Sequence, residues 1–337
     1  VTDQEMDSLT QIALGSSVAA ACVPATHRRK AAIAGALLGT LPDLDMLLDY
    51  GNPVANFTMH RGFSHSLPML TATALVIWAV LRLFWMPVTM LPLRWLAAIL
   101  MALLTHPLLD AHTAYGTQLF WPFGGFPVFW STLFIIDPLY TLPLLAGMLA
   151  VIIRPTSRTA SRCLIAGLTA SMIYLGWSWA AQSLVAGNAR QTLEAKGIHD
   201  AKIFITPTPF NTLLWRIVVL SDGGHLEGYD SLVADDGPIH FVFHASDDAA
   251  LAAAATIPAV ARLRWFSNGF VQAFVKNGIL HLADIRMGGH PDYVFRHAVA
   301  HRSNPGWQEI PPRRMPISLR PDFLAFVWDR IWTDRSD

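Results

Sequence analysis

A pair of carboxylates and a pair of histidines follow closely on an apolar run near the start of the sequence. The carboxylates are Asp43 and Asp45 in the motif LPDLD, and the histidines are His60 and His65 in the motif HRGFSHS. Carboxylate oxygens and imidazole nitrogens together suit zinc, manganese or iron. The two motifs therefore predict a divalent-metal site. The alternatives are an acidic helix end for the first motif and a loop that meets lipid headgroups for the second.

A second His/Asp pair ends a later apolar run. His106 and Asp110 stand four residues apart in THPLLD, and on a helix this spacing puts both side chains on one face. One ion could therefore contact both. Several carboxylates alongside several histidines also fit a site for two or more ions, which would hold the attacking and leaving oxygens of a phosphoryl displacement. His112, just beyond Asp110, is a further candidate, either as a ligand or beside the ligands.

The roles predicted for these residues are those of a hydrolase. The predicted metal ligands are Asp43, Asp45, His60, His65, His106 and Asp110. Asp43 and Asp45 would be divided between a metal ligand and a general base. Arg61 would stabilise charge that develops on a substrate phosphate, or else contact lipid headgroups. Ser64 would either orient a ligand or, as we favour, cap the following helix.

The elements that must position these residues are apolar. Of 337 residues, 53% are hydrophobic and only 14% are charged, whereas soluble domains average about 25% charged residues. This composition indicates an integral membrane protein, and the zero net charge gives no sign of a nucleic-acid partner. The candidate spans are Ser8–Val23, Ala31–Leu48, Leu67–Leu83, Leu93–Leu109, Leu133–Ile153 and Cys163–Val185. The first is short and rich in small residues, which favours close helix packing.

The turns between these runs carry an orientation signal. Basic residues concentrate in alternate turns, at His27–Lys30, at Arg82 and Arg94, and at Arg154–Arg162. By the positive-inside rule these turns are cytoplasmic. With six spans, the metal-ligand motifs and everything after the last run then lie on the extracytoplasmic side of the membrane.

The chain changes character after residue 186. We predict a helical transmembrane metal-binding domain over residues 6–186 and an extracytoplasmic α+β domain over residues 187–337. The second domain contains alternating segments typical of strands, with an Asn277-Gly278 turn that favours a hairpin. The predicted strands are Trp215–Leu220, Ile239–His244, Phe270–Val275 and Ile279–Ile285, and the predicted helices are Ala249–Leu263 and Phe323–Trp332.

Four motifs resemble one bacterial family. They are MDSLTQIALG (6–15), LPDLD (41–45), HRGFSHS (60–66) and HPLLDAHTAYGTQLFWPF (106–123). Together they resemble the YdjM-type (domain of unknown function 457) membrane-bound, metal-dependent hydrolases, over about residues 6–190. The motif TPTPFNTLLWRIV (206–218) resembles the subgroup with an additional C-terminal domain.

The resemblance implies a particular metal site. The family is remotely similar to zinc-dependent phospholipase C and P1 nuclease, which are helical enzymes with several metals. His106 and Asp110 would match their HxxxD helix, and Asp45 with His60 or His65 would match the preceding Asp and His. Zinc is then the expected metal, with manganese as the alternative. Gln11 stands where many members have histidine, which implies that one metal is held more weakly or differently.

These observations predict an inner-membrane hydrolase that cleaves a phosphoester of a lipid or lipid-linked substrate by metal-activated water at the outer interface. One alternative is hydrolysis of a lipid amide or ester. Another is a membrane receptor or assembly factor with a structural metal site. A transporter is disfavoured, because the middles of three spans are strongly apolar. The aromatic stretch Tyr115–Phe123 would form an interfacial belt or a wall for a lipid-like substrate, and no protein partner is indicated.

Overall fold

The computed structural model describes residues 7–317 and 322–334. The outermost residues of the two predicted domains, Met6 and Asp337, lie outside this description. The first half of the chain is helical. Its helices are α1 (Asp7–Cys22), α2 (Arg28–Thr40), α3 (Pro53–Met59), α4 (Leu67–Phe84), α5 (Met86–Met90), α6 (Pro92–Asp110), α7 (Pro138–Ile153) and α8 (Arg158–Ala195), with 3-10 turns at Pro42–Leu47 and Phe63–His65.

Three helices in the described part of the chain are long and apolar enough to cross a membrane. They are α4, α6 and α8, while α1 and α7 are apolar but shorter. A full span needs about 20 residues, so the number of spans stays a prediction. The structure thus supports a membrane protein, and its orientation also stays a prediction.

Prolines set two helix boundaries inside the predicted apolar runs. The run Ala31–Leu48 is not one helix: α2 ends at Thr40, and Pro42 opens a 3-10 turn. Proline has no amide hydrogen and cannot continue the hydrogen-bond ladder of a helix. The run Leu133–Ile153 becomes helical only at Pro138, where the Asp137 side chain accepts hydrogen bonds from two backbone amides.

Small residues allow α1 and α2 to pack closely, as the composition of the first predicted span indicates. A Cβ atom at Gly35 would lie 2.2 Å from the carbonyl oxygen of Gly15. A Cβ atom at Gly39 would lie 2.6 Å from the carbonyl oxygen of Gln11. The two backbones can approach this closely only without side chains at these positions.

The second half is the predicted α+β fold, built on two antiparallel sheets. The first sheet has the order β1 (Ile203–Pro207), β2 (Leu214–Ser221), β3 (Gly224–Ser231) and β4 (Phe241–Ala245). Then follow α9 (Asp248–Ala253), α10 (Pro258–Phe266) and the second sheet, in the order β5 (Val271–Lys276), β6 (Ile279–Gly289), β7 (Asp292–Arg302) and β8 (Trp307–Arg314). The last helix is α11 (Phe323–Trp332), with the predicted bounds.

Two local predictions in this half had different outcomes. The β5–β6 hairpin is confirmed, and Asn277 and Gly278 both have the positive φ that its tight turn requires. The single helix over Ala249–Leu263 was wrong, because α9 ends at Ala253 and Pro258 opens α10. The proline at the start of the second helix again separates the two.

The contacts between the two halves include a helix–sheet contact and an aromatic contact. Helix α8 continues unbroken past residue 186, and its last turns, with Ala189 and Leu193, lie in one apolar cluster with Trp215 and Ile217 of β2. The predicted boundary at residue 186 therefore falls inside a helix, and the division into domains stays a prediction. The second contact is aromatic: Phe57 of α3 stacks on Phe295 of β7 with ring centroids 4.2 Å apart. This contact lies just before the segment that carries His60 and His65.

Candidate metal centre

Four side chains from three segments converge at one end of the helical bundle. Asp43 comes from the first 3-10 turn, His65 from the second, and His106 and Asp110 from the last turns of α6. One ligand atom of each lies within 4.8 Å of the others. The Nε2 atom of His65 lies 3.1 Å from the Nε2 atom of His106 and 3.3 Å from Asp43 Oδ1. These side chains can hold a metal ion, as the His/Asp motifs predict.

The hydrogen bonds of the two histidines fix which nitrogen faces the centre. The Nδ1 atom of His106 lies 2.6 Å from the carbonyl oxygen of Gly39. A carbonyl only accepts, so Nδ1 carries the hydrogen and Nε2 of the neutral ring has a free lone pair. The hydroxyl of Ser64 donates to Asp45 Oδ2 at 2.5 Å. Its oxygen therefore accepts from His65 Nδ1 at 2.9 Å, which leaves the His65 Nε2 lone pair free as well.

Asp110 completes a donor set that fits a divalent cation. Its Oδ2 atom is buried and has no hydrogen-bond partner, although it lies 3.2 Å from His65 Nε2 and 3.3 Å from His106 Nε2. An unsatisfied buried carboxylate oxygen is costly. Two carboxylates and two imidazole lone pairs that meet in a small buried volume are the donors that zinc or manganese takes.

Asp45 and His60, also predicted as ligands, pair with each other beside this centre. His60 Nδ1 lies 2.8 Å from Asp45 Oδ1. Asp45 Oδ2 accepts from the Arg61 amide at 3.2 Å and from the Ser64 hydroxyl. Since Asp45 reaches His65 through Ser64, its geometry supports a role in orienting a metal ligand. Direct ligation by Asp45 and His60 stays a prediction, as does the general-base role of Asp43 or Asp45.

Arg61 is buried and engaged with protein groups. Its guanidinium donates to the Thr113 hydroxyl at 2.9 Å, lies 3.3 Å from Asp110 Oδ1 and stacks 5.0 Å from the ring centroid of Tyr115. Its backbone has a φ of +60°, which is unusual for a residue other than glycine. This placement supports a role in holding Asp110, and the predicted contact with a substrate phosphate stays a prediction.

Burial and hydrogen bonding act in opposite directions on the two carboxylates of the first 3-10 turn. Burial alone would raise the pKa of Asp43, but its contacts with the His106 and His65 imidazoles outweigh burial and bring this pKa below its ordinary value. Burial also opposes the shift at Asp45, whose pKa is lowered by its contacts with His60, His65 and Ser64. Both groups are therefore ionised at neutral pH, the state in which carboxylates bind metal.

Four further residues show where sequence reasoning fell short. Gln11 donates from Nε2 to Asp110 Oδ1 at 3.1 Å, so it braces a member of the cluster. Ser64 orients His65, whereas the cap of α4 that we expected from it is provided by Ser66, which accepts from the Met69 amide. The carbonyl of Gly39 could not be found from residue type, since every residue has one. His112 lies apart from the cluster, with Nδ1 on the Leu108 carbonyl and Nε2 beside Trp179.

The cluster opens towards an apolar surface. Asp43 is its most accessible member, with a side chain 17% exposed, and the neighbouring His60 side chain is 15% exposed. Large, exposed apolar side chains lie near Asp43 and His60 in the chain or in the loop whose Trp121 contacts Phe63. These are Leu44, Leu47, Met59 and Phe63, together with Phe120, Trp121 and Phe123 of the loop after α6. Phe63 and Trp121 contact each other, with ring centroids 6.3 Å apart. We call these seven residues the apolar rim.

Apolar helices that carry a buried His/Asp cluster at one end define the chain as a membrane-type helical protein with a candidate metal centre. It belongs to the family of the YdjM inner membrane protein, whose model matches residues 6–185. This region contains all four residues of the cluster, and it confirms the family predicted from the sequence motifs. The remote similarity to phospholipase C stays a prediction.

Among individual proteins, the chain is similar to the uncharacterized protein YfhP of Bacillus subtilis (strain 168). The two are 31% identical over 150 residues, which cover 42% of this chain and 45% of that protein. The chain therefore aligns with less than half the length of this relative. No solved structure matches the chain.

Proposed function

We propose that this protein is a metal-dependent hydrolase of the inner membrane that cleaves a phosphoester bond in a lipid or lipid-linked substrate. The observation that carries the proposal is the convergence of two bare imidazole nitrogens and two carboxylates on one buried centre. Asp43, His65, His106 and Asp110 would hold the ion, with zinc the first candidate and manganese the second. The other predicted ligands, Asp45 and His60, would serve a second ion.

When bound, such an ion supplies Lewis acidity towards a phosphoryl oxygen and lowers the pKa of a water molecule towards neutrality. The residues of the chain prepare the centre for this chemistry. Gly39 and Ser64 orient the imidazoles of His106 and His65, while Arg61 and Gln11 hold Asp110. Because three of these supports are buried and Ser64 is half-buried, the ligands keep their geometry without reorganisation when a substrate arrives.

The apolar rim supports an amphiphilic substrate. Leu47 of the apolar rim is 78% exposed. A water-soluble substrate would gain little binding energy from this side chain or from the other rim residues. A lipid phosphate fits both parts, since its headgroup matches the charged centre and its chains match the rim. The partner proposed for this chain is therefore a membrane lipid or lipid-linked molecule. By the positive-inside rule we place the site and the C-terminal domain outside the cytoplasm.

One observation favours a second candidate. Four protein ligands complete a tetrahedral zinc site, and closed sites of this kind are usually structural. A receptor or assembly factor would use such a site to hold the second 3-10 turn against α6. The partial exposure of Asp43 favours the hydrolase, because an accessible ligand leaves room for a substrate atom.

The test separates these two functions. Wild type, His106→Ala and the control His112→Ala would be purified in detergent without a histidine tag, and each assayed for metal content and for hydrolysis of phospholipids and of a soluble phosphate ester. The proposal expects metal and lipid-phosphoester hydrolysis in wild type and the control, and neither in His106→Ala. Bound metal without hydrolysis of any ester or amide, even after each ion is added back, would favour the structural site.

A further inference from the structure

Helix α11 is apolar on two faces. Val327 and Ile331 are buried against Leu214 of β2. Leu324, Trp328 and Trp332, spaced four residues apart, form a second apolar line that is 54%, 67% and 53% exposed. A surface helix normally has one apolar face and one polar face. The second line therefore has no partner among the described residues.

Helix α11 has two charged side chains, Asp329 and Arg330, and of these Asp329 is exposed. Arg330 turns inward, and its guanidinium pairs with Asp235 at 2.5 Å and donates to the Thr333 carbonyl at 3.0 Å. The cation therefore belongs to the packing of the helix on its own domain. Trp328 and Trp332 contact each other with ring centroids 5.8 Å apart. Two neighbouring, half-exposed indoles are typical of a surface that rests in a membrane interface.

The position of α11 in the fold also places it near the end of the apolar helical bundle. Two residues before β2 lies Thr212, whose hydroxyl contacts the Tyr174 hydroxyl at 3.2 Å and the Trp177 indole at 3.1 Å on α8. Tyr174 in turn donates to Asp137, the residue that starts α7. Thr212 is thus docked at the end of the apolar bundle, and α11 packs on the next two residues, Leu213 and Leu214.

From this geometry we infer that α11 is an interfacial helix, which inserts Leu324, Trp328 and Trp332 into the lipid headgroup region next to the bundle. The occupant of the exposed line is the bilayer itself. Its apolar area and its tryptophans match the boundary between headgroups and acyl chains. The helix would then anchor the first sheet of the C-terminal domain to the membrane at a second point besides α8. This inference does not depend on metal chemistry.

The experiment uses the full chain in vesicles of phosphatidylethanolamine and phosphatidylglycerol. In a Cys22→Ala, Cys163→Ala background, an environment-sensitive fluorophore would be attached at Leu324→Cys, at Trp328→Cys and at the control Asn277→Cys in the β5–β6 turn. Each sample would be measured with and without lipids that carry a spin-label quencher. The unmodified double variant reports background labelling.

The expected result is a blue-shifted emission at positions 324 and 328 that quencher lipids strongly reduce, with neither effect at 277. Emission typical of water at both α11 positions would overturn the inference. A blue shift that quencher lipids leave unchanged would also overturn it, because a second copy of the chain or another protein would then cover the helix. Because two positions on α11 are labelled separately, a local disturbance caused by one substitution would not decide the result.

Discussion

His65 and His106 face each other with their Nε2 atoms 3.1 Å apart, although 41 residues separate them in the sequence. Two neutral imidazoles gain nothing from this approach, because each presents a lone pair to the other. A cation between them, shared with Asp43 and Asp110, converts the approach into coordination. The arrangement is thus one that a metal ion would stabilise by binding the folded state.

The first prediction concerns metal content. His106→Ala and Asp110→Asn each remove a donor from the centre, so the bound metal per chain should fall substantially in both variants. Elemental analysis of detergent-purified protein measures this directly. His112→Ala is the matched control, because the buried His112 side chain lies two residues beyond Asp110 but bonds to Leu108 and Trp179 rather than to the cluster. Equal metal content in all four proteins would show that the cluster is not the binding site.

The second prediction tests the hydrogen bond that sets the state of His65. Ser64→Ala removes the acceptor for His65 Nδ1 and the donor to Asp45. Loss of such an outer partner typically costs about 10–100-fold in metal affinity, so binding should weaken without disappearing. Competition with a fluorescent chelator gives the dissociation constant. Ser183→Ala is the control, since that exposed hydroxyl bonds only to the Trp179 carbonyl of its own helix, and an equal loss there would contradict the assignment.

The sequence predicted the donors better than their arrangement. Residue type and spacing identified all four members of the cluster, because imidazoles and carboxylates beside apolar runs have few other uses. Whether Asp45 lies in the cluster or behind it depends on a 3-10 turn that Pro42 imposes after α2. A pattern of apolar residues does not show this turn. The supporting carbonyl of Gly39 is a backbone group, and only its three-dimensional position gives it a role.

The fold, like the site, was predictable in some elements and not in others. Helices α4 and α6 and the β5–β6 hairpin were predictable, because each has a local pattern that agrees with its final environment. Short helix α3 was not predicted, since its seven residues are stabilised by the Asn52 cap and by Phe57 packing on the distant β7. Contacts between residues far apart in the chain leave no local signal.

The third prediction concerns the α1–α2 contact that supports the centre. Gly35→Ala would place a methyl group 2.2 Å from the Gly15 carbonyl and 2.6 Å from the Ala19 side chain. Overpacking of this kind costs about 1–3 kcal/mol, so the thermal midpoint in detergent should fall. Metal affinity should fall with it, because α2 carries the Gly39 carbonyl that orients His106.

Gly176→Ala on α8 provides the control for this substitution. A Cβ atom there meets nothing within 4 Å, and replacing glycine by alanine inside a helix stabilises by about 0.5–1 kcal/mol. Its thermal midpoint should therefore stay the same or rise. A similar decrease in both variants would mean that the loss reflects any added methyl group rather than the close approach of α1 and α2.

The last prediction concerns pH and the contact between the two halves of the chain. His297 lies beside Phe57, with ring centroids 5.7 Å apart, and neither ring nitrogen has a hydrogen-bond partner. Burial first, and then the charge of Arg314, lower its pKa to about 4 against an opposing effect of Asp284. In the unfolded chain His297 therefore takes up a proton near pH 6.5, whereas in the folded chain it does so only near pH 4. Stability should thus be complete above pH 6.5 and fall by up to about 3 kcal/mol as the pH drops through this window.

Chemical unfolding followed between pH 7 and pH 4 measures this loss, and His297→Phe should show a smaller decrease because phenylalanine binds no proton. The pKa of His225 is also lowered to about 4, chiefly by burial, so a part of the pH dependence should remain in the variant. The difference between the two curves isolates His297. His240→Asn is the control, since that exposed side chain meets water whether or not the chain is folded. An unchanged pH dependence in His297→Phe would show that the buried imidazole is not the group that couples protons to folding.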